Sequence, residues 1–217
     1  MIERYSLKSQ IINTIWQLIL KGDIKPNEPL REIHLAKQLN ISRTPLREAL
    51  QKLEWQNIVK SEPGKGFRLS GFSVQEVREI YPLRAKLESY ALELSGIPSD
   101  KNIQKLVHLN EQMLAATSPK LVIELDEQWH NLLIANCKNR ILLDMISMLH
   151  KQSKRYEYAY MNMKNKVEVS TDQHLQIIKF LQKGNLKKAA KLFAKNNAVG
   201  IETLVSWLES KNEKNKQ

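Results

Sequence analysis

The chain has 217 residues and a formal charge of +11, from 34 Lys and Arg against 23 Asp and Glu, with 42% apolar residues. That is enough for a packed core in one large or two small domains and excludes wholesale disorder. The single cysteine, Cys137, excludes a disulfide framework and a four-cysteine zinc site, and no apolar run is long enough to span a membrane. With no charged-then-apolar leader after Met1, the expected location is cytoplasmic. The positive charge suggests a polyanionic partner such as nucleic acid, though a Lys surplus also serves solubility. It is thinly spread: residues 1–70 carry 12 basic and 7 acidic side chains, and residues 71–217 carry 22 and 16.

In the first part, Ile11, Ile12, Ile15, Leu18 and Ile19 fall on one helical face, and Gly22 is placed to end that helix. Pro26 and Pro29 keep the next stretch extended. A short helix follows over 31–39, with Ile33, Ala36 and Leu39 as its expected buried side. Asn40 suits a left-handed turn, Ser42 caps a third helix that tolerates Pro45 in its first turn, and Asn57 stops it. Two apolar runs, Ile58-Val59 and Phe67 to Leu69, flank Pro63-Gly64-Lys65-Gly66, a hairpin signal.

Two short helices, a tight turn and a third helix make a helix-turn-helix, and the hairpin adds a wing. On the third helix Leu46, Ala49, Leu50 and Leu53 form the buried face, while Arg43, Arg47 and Gln51 recur every four residues on another. Arginines at the start of such a helix can reach guanine edges in the major groove. Thr44 and the free N–H groups beside it can hold a phosphate, and Lys65 offers a flexible cation. The spacing alone equally suits ordinary solvated charges.

Four of the seven glycines lie in the first 71 residues and none between Gly96 and Gly184, so a boundary is placed near Gly71-Phe72. Ser73 and Glu76 then form a capping-box pattern. Six helices are expected, over 73–95, 100–116, 119–136, 140–163, 170–183 and 186–209, with starts at Ser73, Asp100, Ser118-Pro119, Asn139, Ser170 and Asn185. Residues after Glu209 read as a frayed end. Asp126 and His130 share the inward face of the third of these helices, and His174 opens the fifth. Buried, they need a mutual hydrogen bond, a metal or a polar ligand, and one carboxylate with two imidazoles suits zinc or nickel.

The run Ser42-Arg43-Thr44-Pro45-Leu46-Arg47-Glu48-Ala49-Leu50, with Leu53-Glu54 and the Gly64 to Gly66 turn, resembles the winged helix-turn-helix of GntR-family transcription regulators. The resemblance assigns DNA contacts to Arg43, Thr44 and Arg47 on the recognition helix and to Gly64, Lys65 and Gly66 in the wing. Beyond it, Leu83-Arg84, Leu87-Glu88, Asp126 with His130, Asn139, and His174 ten residues before Gly184 resemble the FCD ligand-binding domain of the FadR-type subfamily. Six helices are closest to its VanR-like variant. The resemblance implies a divalent metal on Asp126, His130 and His174, with the fourth expected position at Asn196. It also implies a small carboxylate effector, for which Arg84 and Asn196 are the candidate contacts; Arg84 can instead pair with Glu88.

The expected protein is mainly α, with a winged helix-turn-helix over 1–72 and a helical effector-binding and dimerisation domain over 73–217. It is read as a homodimeric, ligand-responsive repressor on pseudo-palindromic double-stranded DNA, with no membrane partner and no catalytic residue. The alternatives are a metal-dependent hydrolase, for which no base is placed by motif, or a DNA-architectural protein.

Overall fold

Helix α1 (Leu7–Lys21) buries Ile11, Ile15 and Trp16 in the computed structural model, which describes residues 7–21, 23–161 and 166–214. Gly22, the expected stop of α1, lies outside the described residues. The chain divides into two units, Met1–Phe72 and Ser73–Gln217.

In the first unit, β1 (Pro29–Leu30) leads into α2 (Glu32–Gln38) and α3 (Arg43–Trp55). Between the helices Asn40 is left-handed, at φ 53°, and Asn57 after α3 has φ 57°. Asn tolerates this region better than most residues, which is why both sites end a helix. α3 buries Leu46, Ala49, Leu50 and Leu53, as its periodicity predicts. The phase of α2 is different from the expectation. Leu35 and Ala36 are its buried residues, whereas Ile33 is 66% exposed. A seven-residue helix has too few apolar positions to fix its own phase, so packing against α3 chooses the face.

The hairpin pairs β2 (Val59–Glu62) with β3 (Gly66–Leu69), and β1 joins the other edge of β3, giving the antiparallel order β1-β3-β2. The two-residue β1 carries no alternation to read, so the sequence shows only its extended prolines. Gly64 and Gly66 have φ 74° and 78°, values a side chain would strain, and they permit the tight turn under Lys65.

The second unit holds α4 (Val74–Ser95), α5 (Asp100–Ala115), α6 (Pro119–Leu133), α7 (Arg140–Met161), α8 (Lys166–Gln182), α9 (Leu186–Ala198) and α10 (Ile201–Lys214). Among the described residues this makes seven helices, not six. The expected last helix is two, because the chain breaks at Val199-Gly200: the Val199 N–H turns back to the Asn196 carbonyl, and the Gly200 carbonyl accepts the first bond of α10. α10 then continues to Lys214, past the expected frayed end at Glu209. α8 starts at Lys166, so Ser170, read as its cap, is instead a buried residue inside the helix. The core gathers Leu92, Leu106, Trp129, Ile177 and Phe193 from α4, α5, α6, α8 and α9.

Candidate functional sites

On the first unit, Arg43, Thr44, Arg47 and Gln51 are all exposed and line one groove together with Glu32 and Glu48. The helix period puts them on one face, and burial of the opposite leucines holds that face outward. Lys65 is exposed at the tip of the wing. Glu54 ties the two parts together: its Oε1 accepts from the Ser61 N–H at 2.9 Å, joining the end of the recognition helix to β2. The sequence signals the reading face well, since all of its residues are local to one helix and one turn.

The second unit holds a small pocket of about 50 Å³, lined by Tyr81, Arg84, Asp126, His130, Glu157, Ser170, Asn196, Asn197, Val199, Gly200 and Leu204. Helix α6 presents Asp126 and His130 one turn apart, and α8 brings His174 to the same carboxylate. His130 Nε2 lies 3.6 Å from one Asp126 oxygen, and His174 Nε2 lies 3.7 Å from the other. These gaps are too long for hydrogen bonds. Two ligands each about 2.1 Å from a tetrahedral ion stand roughly 3.4 Å apart, so the spacing suits a shared cation.

The far side of each ring supports this donor set. His130 Nδ1 meets Glu88 Oε2 at 2.7 Å, and His174 Nδ1 meets Asn110 Oδ1 at 3.1 Å. The Asn110 amide is oriented by donating to the Thr171 carbonyl at 3.1 Å, so its oxygen faces His174, whose Nδ1 must donate. His174 Nε2 is then a lone-pair nitrogen, buried and without a hydrogen-bond partner. Trp129 stacks on this ring with centroids 3.7 Å apart and 6° between planes, which holds its orientation. An imidazole whose second nitrogen is fixed by a carboxylate or amide is the usual support of a metal ligand.

Electrostatics agree. Burial, and then the neighbouring His130, keep His174 well below the ordinary histidine range, hence neutral; the Asn196 amide, near the ring but outside hydrogen-bonding geometry, opposes this least. Burial works against charge on His130 too, but the Asp126 and Glu88 carboxylates outweigh it and raise its pKa. Burial raises Asp126 despite His130. Glu88 goes the other way: burial would raise it, but His150, Arg84 and His130 hold it well below the usual carboxylate range.

Of the expected site residues, Asp126, His130 and His174 come together, and Arg84 and Asn196 line the same pocket. Arg84 is already engaged. Its Nε donates to Glu88 at 3.0 Å and its Nη1 to Ser153 at 2.6 Å, and it also pairs with Glu157. Asn196 donates its amide to Gln173 at 2.9 Å. Glu88, His130 and His150 form another group of possible ligands, but Arg84 lies 3.0 Å from Glu88 and 3.4 Å from His150, so a cation there would meet a fixed positive charge. The residues not legible as parts of the site are Asn110, Trp129, Ser170 and Asn197, and Glu88 was legible only as a partner for Arg84. Each reaches the site from a different helix turn or across the bundle, and no local spacing announces it.

Known proteins agree with this architecture. Bacterial regulatory proteins of the gntR family match residues 7–69, and the FCD domain matches residues 79–195. The Nta operon transcriptional regulator of Aminobacter aminovorans is 31% identical over 72% of this chain and 75% of its own length. The HTH-type transcriptional repressor GlaR of Escherichia coli is 29% identical over 73% of this chain and 76% of its own. Among solved structures, E. coli McbR/YncC superposes with a TM-score of 0.79 over 94% of this chain and 99% of that one, at 21% identity, a likeness of fold. With its winged reading helix and its helical ligand-binding domain, the chain belongs to the GntR family of DNA-binding transcription regulators, in the group that carries an FCD domain.

Proposed function

We propose that the protein is a metal-dependent, effector-responsive repressor that works in the cytoplasm as a homodimer. Arg43 and Arg47 read base edges, Thr44 positions a phosphate, and the Gly64-Lys65-Gly66 wing tip adds a backbone contact. The relatives named as repressors support the direction of control. The pairing of two protomers would set the spacing of a pseudo-palindromic operator. A second copy is favoured by exposed apolar side chains on two adjacent helices: Leu83, Tyr90 and Leu94 on α4, and Ile141 and Met145 on α7.

Asp126, His130 and His174 would hold a divalent cation, zinc or nickel by this donor set. The observation that carries this reading is the buried, unpartnered Nε2 of His174 beside Asp126. When bound, the ion supplies a Lewis-acidic anchor for the carboxylate of a small effector. The chain's own residues do the rest. Glu88 and Asn110 fix the two rings, while Arg84 holds Glu88 and Glu157 in place. By linkage, the effector alters operator affinity only as far as it binds the DNA-competent and incompetent states unequally. Binding rather than turnover is favoured because Glu88 and Glu157 are both engaged with Arg84, and neither is poised as a base.

The test is to purify the protein without chelator, measure its zinc and nickel, and select genomic fragments with it. Retained metal and a palindromic consensus support the reading. Metal-free protein after exposure to both ions would overturn the metal site, and binding without sequence preference would overturn the regulator's DNA role.

A further inference from the structure

Asn197 closes the last full turn of α9, is 8% exposed and lines the pocket beside Asp126 and His130. Its Nδ2 is buried and has no hydrogen-bond partner. A buried donor left unpaired is destabilising, so the site is incomplete without an acceptor. Asn196 next to it has its amide committed to Gln173.

Charge narrows what that acceptor belongs to. The carboxylates of Glu88, Asp126 and Glu157 crowd the pocket, and Arg84 pairs with two of them, Glu88 and Glu157. Arg84 therefore has no uncompensated charge to offer an incoming anion. With a divalent cation on neutral imidazoles, the three carboxylates, the guanidinium and the ion sum to zero. A ligand with two or three negative charges would then leave that excess buried, which low-dielectric surroundings penalise. Glu157 lines the same pocket and, ionised, only accepts hydrogen bonds, so the ligand group beside it is a donor. The cavity, about 50 Å³, has room for roughly four water-sized groups.

We propose that Asn197 is the hydrogen-bond donor that anchors the effector, and that the effector is a two- or three-carbon monocarboxylate bearing a hydroxyl or amino group. Di- and tricarboxylates are selected against. This rests on the metal reading above and adds the residue and the ligand class to it.

The experiment uses the full chain loaded with zinc or nickel, with metal content measured before and after each titration. Calorimetry with glycolate, glycine, malonate and succinate reads the ligand class. The expected result is that glycolate or glycine binds at least tenfold tighter than malonate and succinate. Asn197→Ala and the near-isosteric Asn197→Asp each weaken that binding at least tenfold while metal content stays at the wild-type level. Asn197→Ala also leaves the melting temperature of the ligand-free, metal-loaded protein unchanged or higher, which a merely structural amide would not do. A chain that retains neither metal overturns the metal reading itself. A metal-loaded chain that binds none of the four compounds, binds malonate as tightly as glycolate, or binds glycolate equally well in both variants overturns this inference alone.

Discussion

Glu88 is fully buried and its two oxygens serve three partners: His130 at 2.7 Å, His150 at 2.9 Å and Arg84 at 3.0 Å. Such a group is costly to bury and is stabilised only because each oxygen is matched. Its contact with His130 fixes which ring nitrogen faces Asp126. Glu88→Gln keeps the shape but loses the charge, and is expected to weaken zinc affinity about 10- to 100-fold, read by competition with a chromogenic chelator. Unchanged affinity would mean that His130 keeps its orientation without the carboxylate. On the reading face, Arg47→Ala is expected to cost about 1–3 kcal/mol on the preferred sequence and to relax preference at one base position. Lys65→Ala should instead weaken all sequences alike and lower the salt slope by about one. Binding across a sequence library at several salt concentrations separates the two roles.

The start of α4 is decided by another helix. Ser73 accepts from the Glu76 N–H at 3.3 Å, as its capping pattern predicts, but the return bond of the box is not made by Glu76. The Tyr156 phenol of α7 occupies that place: it accepts from the Ser73 N–H at 3.0 Å and donates to the Glu76 carboxylate. Tyr156 is fully buried and adjoins Glu157, the partner of Arg84 in the pocket. One turn of α7 therefore touches both the pocket and the first residue of the second unit. Tyr156→Phe should cost about 1–2 kcal/mol in chemical denaturation, because it leaves the Ser73 N–H and a carboxylate without their partner. It should also reduce any effector-dependent change in operator affinity, measured by anisotropy. The Ser73 half of the cap was legible because it spans three residues; the Tyr156 half spans 83 and was not.

At the scale of the whole molecule, two surfaces await partners. The exposed side chains of Leu83, Tyr90 and Leu94, with half-buried Leu87 between them, run along α4 at spacings of three and four residues. That spacing forms a stripe on one helix face, the pattern by which two helices pack. Tyr90→Lys with Leu94→Lys should shift the protein toward monomer in sedimentation at low micromolar concentration, with helix content retained. A tightly held ion also stabilises the folded state. Removing it with chelator at an ion concentration about 100-fold above Kd should cost about 2.7 kcal/mol and lower Tm by roughly 5–10 °C.

The sequence by itself determined the reading head, because its signals are local. Asn40 and Asn57 end helices by their own backbone preference, two glycines shape the wing, and one helical period sets Arg43 and Arg47 opposite four buried leucine and alanine positions. It also placed Asp126 and His130 on one face, since they are one turn apart. Only the tertiary structure decided the phase of the short α2, the break at Gly200, and the surroundings of the imidazoles. Glu88 lies 42 residues from His130, and Asn110 lies 64 from His174. Partners that distant are chosen by how helices pack, and packing depends on the summed shape and burial of many side chains rather than on any spacing along one of them.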